Sequence, residues 1–184
     1  MFMKRKVWIC IVLSFMILTF GCEYSNDKVY NVSKYEQISE LVKGKDEYIQ
    51  DCYEVLSNIK TYDVSFIYVN SETIAETDLN GKTVNTENTI EELQTPFKEL
   101  KGLRGITTRN NALDFGGWGS ISSSIGFIYS PDESITIQDL LPAEVSGEIR
   151  VIDQDTYFWE QTGGDNSVFF KRITTYYYYY EIWF

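Results

Sequence analysis

The chain has 184 residues, a formal net charge of −11, fourteen tyrosines, three cysteines and no histidine. The missing histidine excludes Ser–His and Cys–His catalysis, histidine zinc sites and histidine pH switching. The acidic balance repels phosphate backbones, so no nucleic-acid partner is expected.

The chain opens with Lys4, Arg5 and Lys6, followed by an apolar run over residues 7–20 and then Gly21 and Cys22. A bilayer-spanning helix needs roughly 18–20 apolar residues, so this run is short for one. A basic start and a short apolar core read as a secretory signal. The stretch "LTFGC" resembles the lipobox of bacterial lipoproteins, although Leu18 lies four residues before the cysteine and the bulky Phe20 two before it. That resemblance implies cleavage before Cys22 and lipidation of its thiol. It gives a signal peptide over residues 1–21, a lipid-anchor tether over 22–32 and a single domain over 33–184, held through lipid on the outer side of the bacterial cell membrane. Removing the first 21 of 184 residues leaves 163 and takes away three basic residues, so the charge moves from −11 to −14. A domain of this size buries roughly 68–70% of its unfolded surface and needs no metal or disulfide staple. Cys10 leaves with the signal and Cys22 is acylated, so Cys52 has no partner for an intrachain disulfide.

Ser33 and Glu36 form a capping-box pattern. Ile38, Leu41, Val42, Ile49, Cys52, Leu56 and Ile59 then recur at helical spacing. Lys45 interrupts this stripe and Gly44 beside it breaks or bends the helix, giving one long amphipathic helix or two short ones. Cys52 lies on the apolar stripe and reads as a core thiol. "VSFIYV" at residues 64–69 is a strand. Residues 70–88 are polar, and Asn80-Gly81 marks either an exposed hairpin or a mobile loop. Thr89 with Glu92 caps one short helix, and Thr95, Pro96 and Gly102 frame a second. From Leu103 onward the runs are strand-like with frequent turns.

A helix followed by such a meander predicts an α+β fold. It would be an N-terminal amphipathic helix on a mostly antiparallel sheet of about five or six strands, with a cone- or roll-like half barrel as its shape. The order of elements is loosely similar to the nuclear-transport-factor-2-like cone and to the cystatin-like roll, a likeness of fold alone.

Chemical motifs are few. "GGWGSISSSIG" matches neither the dinucleotide fingerprint nor the nucleophile elbow, and its glycines read as a bulged or bent strand. Asp153, Asp155, Glu160 and Asp165 are the carboxylates a hydrolase or a calcium loop would use. Two of them flank the turn "DQD", where aspartates bond their own backbone. No catalytic residue, metal ligand or cofactor is assigned.

The segment "SVFFKRITTYYYYYEIWF" predicts a hairpin turning at Thr174-Thr175 with Arg172 opposite Tyr177. Tyr176, Tyr178, Tyr180, Ile182 and Phe184 share one face, expected to meet the core under the helix; Tyr177, Tyr179, Glu181 and Trp183 share the other. This second face is either covered by the protein or exposed as an aromatic patch, with Arg172 stacked on Tyr177. Tyr177, Tyr179, Trp183, Arg172 and Trp159 are the candidate binding residues. The leading reading is a lipid-anchored, non-enzymatic protein-binding domain of the inhibitor or immunity type. The alternatives are a small-ligand or glycan-binding module, with sugars stacking on Trp159, Trp118 or the tyrosines, and a carboxylate-based hydrolase.

Overall fold

A computed structural model describes residues 30–59, 64–109, 111–133, 136–140 and 146–184. The signal segment and Cys22 lie outside the described residues. Among those described, four helices accompany ten strands in one sheet.

Helix α1 (Val32–Lys43) starts at Asn31, whose side chain accepts from the Lys34 amide at 3.0 Å. Asn31 therefore takes the capping role expected of Ser33, which lies inside the first turn. Gly44 and Lys45 separate α1 from α2 (Asp46–Ile59), so the apolar stripe is carried by two helices. Ile38, Val42, Ile49, Cys52 and Leu56 on this stripe are all buried. Helix α3 (Glu91–Glu99) packs against α2 and contains Pro96 in its interior. The expected division into two helices at Thr95-Pro96 does not occur. The Leu100 amide donates to the Pro96 carbonyl at 2.8 Å and closes the turn after it.

The strands are β1 (Val64–Val69), β2 (Thr73–Asp78), β3 (Thr83–Asn88), β4 (Gly105–Arg109), β5 (Ala112–Gly116), β6 (Ser123–Tyr129), β7 (Gly147–Asp153), β8 (Thr156–Gln161), β9 (Ser167–Arg172) and β10 (Tyr177–Trp183). They run in the order β3-β2-β1-β4-β5-β6-β10-β9-β8-β7, with every pairing antiparallel. The α+β class holds, but the sheet has ten strands rather than five or six. It is open, with edges at β3 and β7. The Asn80-Gly81 turn joins β2 and β3 as a true hairpin, with Gly81 at φ 77° where a side chain would be strained. The short helix α4 (Ile137–Leu140) lies in the connection from β6 to β7.

The last hairpin departs from expectation in one informative way. Its turn is longer by one residue, because the Tyr177 amide donates to the Thr174 carbonyl and the Ile173 amide to the Tyr177 carbonyl. Arg172 therefore pairs with Tyr178, not Tyr177. A one-residue slip exchanges the faces of a whole strand. Val168, Phe170 and Arg172 consequently share a face with Tyr178, Tyr180 and Ile182, while Phe169 and Lys171 share one with Tyr177, Tyr179 and Glu181.

The odd-numbered face of β10 is the one that meets the helices, which corrects the expected assignment. The Tyr35 ring of α1 meets Tyr179 edge-on at 5.6 Å, and Tyr53 of α2 meets Tyr129 at 5.5 Å. Phe115, Phe127, Tyr177 and Phe169 complete this aromatic layer. The opposite face holds a second core of Ile128, Ile137, Leu140, Trp159, Val168, Phe170, Tyr178 and Tyr180. Burying a large apolar side chain is worth about 1.5–3 kcal/mol, so both layers contribute substantially to stability.

Candidate functional site

The five candidate binding residues read from the sequence do not form one site. Tyr177 and Tyr179 are buried under the helices, and Trp183 lies half-buried on that same face, 6.4 Å from the Phe158 ring. Trp159 is buried in the second core, and Arg172 stands over the Tyr178 ring at 5.1 Å on the opposite face from Tyr177. The aromatic patch is therefore corrected to two buried layers: α1 and α2 cover the side of β10 that was left open to either reading.

The hydroxyls of Tyr177 and Tyr179 are satisfied inside the protein. The Tyr177 hydroxyl donates to Asp46 at the start of α2. The Tyr179 hydroxyl donates to Glu181 at 3.2 Å, and the same carboxylate oxygen accepts the Asn31 amide at 2.9 Å. Burial, and then the carboxylate of Asp46, push the Tyr177 hydroxyl far above the ordinary tyrosine range. Burial pushes the Cys52 thiol up to about 12, so it is an inert core group rather than a nucleophile. Asp153 accepts the Asp155 amide at 2.8 Å, which makes it a turn residue. Among the described residues no three His, Cys, Asp or Glu side chains gather to hold a metal ion. Trp118 is buried, its indole N–H donating to the Lys101 carbonyl at 2.8 Å, and so offers no open ring face.

An open groove lies on the sheet face away from α1 and α2. Gly105 pairs with Gly116, Gly116 with Gly126, and Gly126 with Tyr180, so three neighbouring strands present glycine at one level. This row leaves a trough, because no side chain rises from it. Two tyrosine side chains reach over the trough. A Cβ on Gly105 would stand 2.6 Å from the Tyr68 ring, and one on Gly126 would stand 2.6 Å from the Tyr180 hydroxyl oxygen. Tyr180 is buried and its hydroxyl donates to Asp114 at 2.7 Å, forming the wall between groove and second core. Tyr68 is 38% exposed, so part of its side chain reaches solvent.

The groove encloses about 470 Å³. Besides the two tyrosines its lining includes Arg104, Thr107, Asp114, Ser123 and Ser124. One cation, one carboxylate side chain and several hydroxyls thus surround the partly exposed Tyr68 ring, and the exposed Phe184 ring lines the same groove. Sequence reading missed this site because Gly105 and Gly116 of its lining, and Gly126 beneath Tyr180, are 11 and 10 residues apart and meet only through strand register. The available signal was one in-strand glycine in each of three successive strands.

No protein-family model, no curated protein and no solved structure matches the chain. The reading of the site rests on its own geometry.

Proposed function

We propose that the protein is a lipid-anchored, extracytoplasmic binding module, without catalytic machinery, that holds a neutral saccharide in the glycine-floored groove. The observation that carries the reading is the Tyr68 ring, which reaches over Gly105 and is partly exposed, with hydroxyl, guanidinium and carboxylate groups around it. Sugars present an apolar C–H face and a rim of hydroxyls. An aromatic ring beside mixed donors and acceptors complements both, as small-ligand sites commonly do. The groove lining carries one cation and one carboxylate, and the whole chain is acidic, which favours an uncharged ligand over a phosphate. Glycoside hydrolysis uses two carboxylates flanking the scissile bond, whereas Asp114 is the one carboxylate side chain among the described lining residues. The lipobox-like "LTFGC" supports attachment through Cys22.

Calorimetric titration of the full-length chain in detergent with a panel of neutral oligosaccharides tests the ligand. At least one should bind, and Tyr68→Ala should abolish that binding while lowering the melting temperature only modestly. Absence of heat across the panel would reject the saccharide. Attachment has its own test: labelling with an alkyne fatty acid should disappear in Cys22→Ala.

A further inference from the structure

The two edges of the sheet differ. Strand β3 (TVNTEN) is exposed throughout and carries a single charged side chain, Glu87. Strand β7 (GEIRVID) is also exposed throughout, but it alternates charged and apolar residues: Glu148, Ile149, Arg150, Val151. Ile149, Val151 and Ile152 are large apolar side chains left in solvent. An exposed apolar edge is a template for another strand unless something blocks it.

The backbone phase of β7 can be read from its inner neighbour. The Thr162 amide donates to the Ser146 carbonyl at 3.0 Å. In an antiparallel ladder the inward and outward groups alternate. Ser146, Glu148 and Arg150 therefore turn their N–H and C=O groups toward β8, while Gly147, Ile149 and Val151 turn theirs outward. Any added strand must bond to that second set.

We propose that β7 pairs with β7 of a second copy of this chain, antiparallel, about a two-fold axis at Ile149. Three central two-fold registers satisfy the backbone phase. An axis at Glu148 sets Glu148 against its own copy, and an axis at Arg150 sets Arg150 against its own copy. Like charges directly opposite destabilise a strand pair. The axis at Ile149 sets Glu148 opposite Arg150 twice, Ile149 opposite Ile149, and Gly147 opposite Val151. This register pairs every outward backbone group of the three residues and places opposite charges across the seam. Arg150 lies over the Phe158 ring at 5.2 Å, on the same face as Glu148, where the partner carboxylate would arrive. Strand β3 contains no cation to complement Glu87, so the occupant chosen by charge is a β7 edge. The inference does not depend on the ligand of the groove.

A charge-exchange experiment tests it. The full-length chain in detergent should sediment as a dimer, and Glu148→Lys or Arg150→Glu alone should each shift it to monomer. An equimolar mixture of the two variants should recover the dimer, because each charge then faces its opposite. In the same preparation, Ile149→Cys should form a disulfide-linked dimer under mild oxidation, since paired residues there stand about 5.5 Å apart at Cα. Val84→Cys on β3 should not. A monomeric wild type, single variants that dimerise as wild type does, a mixture that stays monomeric, or an Ile149→Cys chain that does not cross-link would each overturn the proposal.

Discussion

The two faces of β10 carry nearly the same side chains and do different work. On the helix-covered face Tyr177 and Tyr179 are packed by α1 and α2 and give their hydroxyls to Asp46 and Glu181. On the other face Tyr178 belongs to a second core, and Tyr180 stands at its margin, with its hydroxyl on Asp114 beside the groove. The difference lies in what the neighbouring strands offer. Toward the helices β5 and β6 present Phe115 and Phe127, stacked at 4.6 Å. Away from them they present Gly116 and Gly126. A tyrosine among phenylalanines becomes core, whereas a tyrosine over glycines becomes the wall of a trough.

The comparison can be broken at graded cost. Tyr179→Ala removes a fully buried ring from the helix-covered layer and should cost about 3–5 kcal/mol in a denaturant titration. Gly126→Ala attacks the other face. Its Cβ would lie 2.3 Å from the Phe115 carbonyl oxygen, and the overpacking should cost about 1–3 kcal/mol while also narrowing the groove.

Alkaline pH acts on the helix-covered layer. Cys52 and Tyr177 both have folded-state pKa values raised above their ordinary ones. Their contribution is therefore fully present below about pH 9. It is lost at up to roughly 1.4 kcal/mol per pH unit for each group as the unfolded chain ionises, Cys52 first and Tyr177 above about pH 10. Urea midpoints at pH 7, 9 and 11 should fall steeply only in the last interval, and Cys52→Ala should flatten that fall. Tyr177→Phe should cost about 1 kcal/mol by removing the hydroxyl from Asp46. Tyr68→Ala should likewise cost about 1 kcal/mol in stability, because its ring is only partly covered.

Much of the fold was legible because local rules govern it. The stripe from Ile38 to Leu56 followed from spacing, whereas the break at Gly44 and the Asn80-Gly81 hairpin were each one of two readings that turn chemistry left open. The faces of β10 were not legible. Both are aromatic and both are buried, so no polar side distinguished them, and a one-residue difference in the turn after Ile173 decided the pairing. Strands β2 and β3 were under-read because their threonines and asparagines lie at a solvated edge, where a strand needs few apolar residues. The groove was least visible. Its floor is an absence of side chains, and three glycines come into line only once β4, β5 and β6 are in register.

The position of β10 also constrains how the molecule can be assembled. It is the last of the ten described strands in chain order, yet it sits between β6 and β9 and, among the described residues, is the strand that joins the β3-to-β6 and β9-to-β7 wings of the sheet by backbone pairing. Its pairing with β6 brings Trp183 to Ser123 and Tyr177 to Tyr129 across long stretches of chain. Such non-local closure is intrinsically slow. The wings cannot be joined during synthesis, before residues 177–183 have emerged. The sheet therefore closes only once β10 has been made, and a chain cut before Tyr177 would be left with two unpaired sheet edges at its centre.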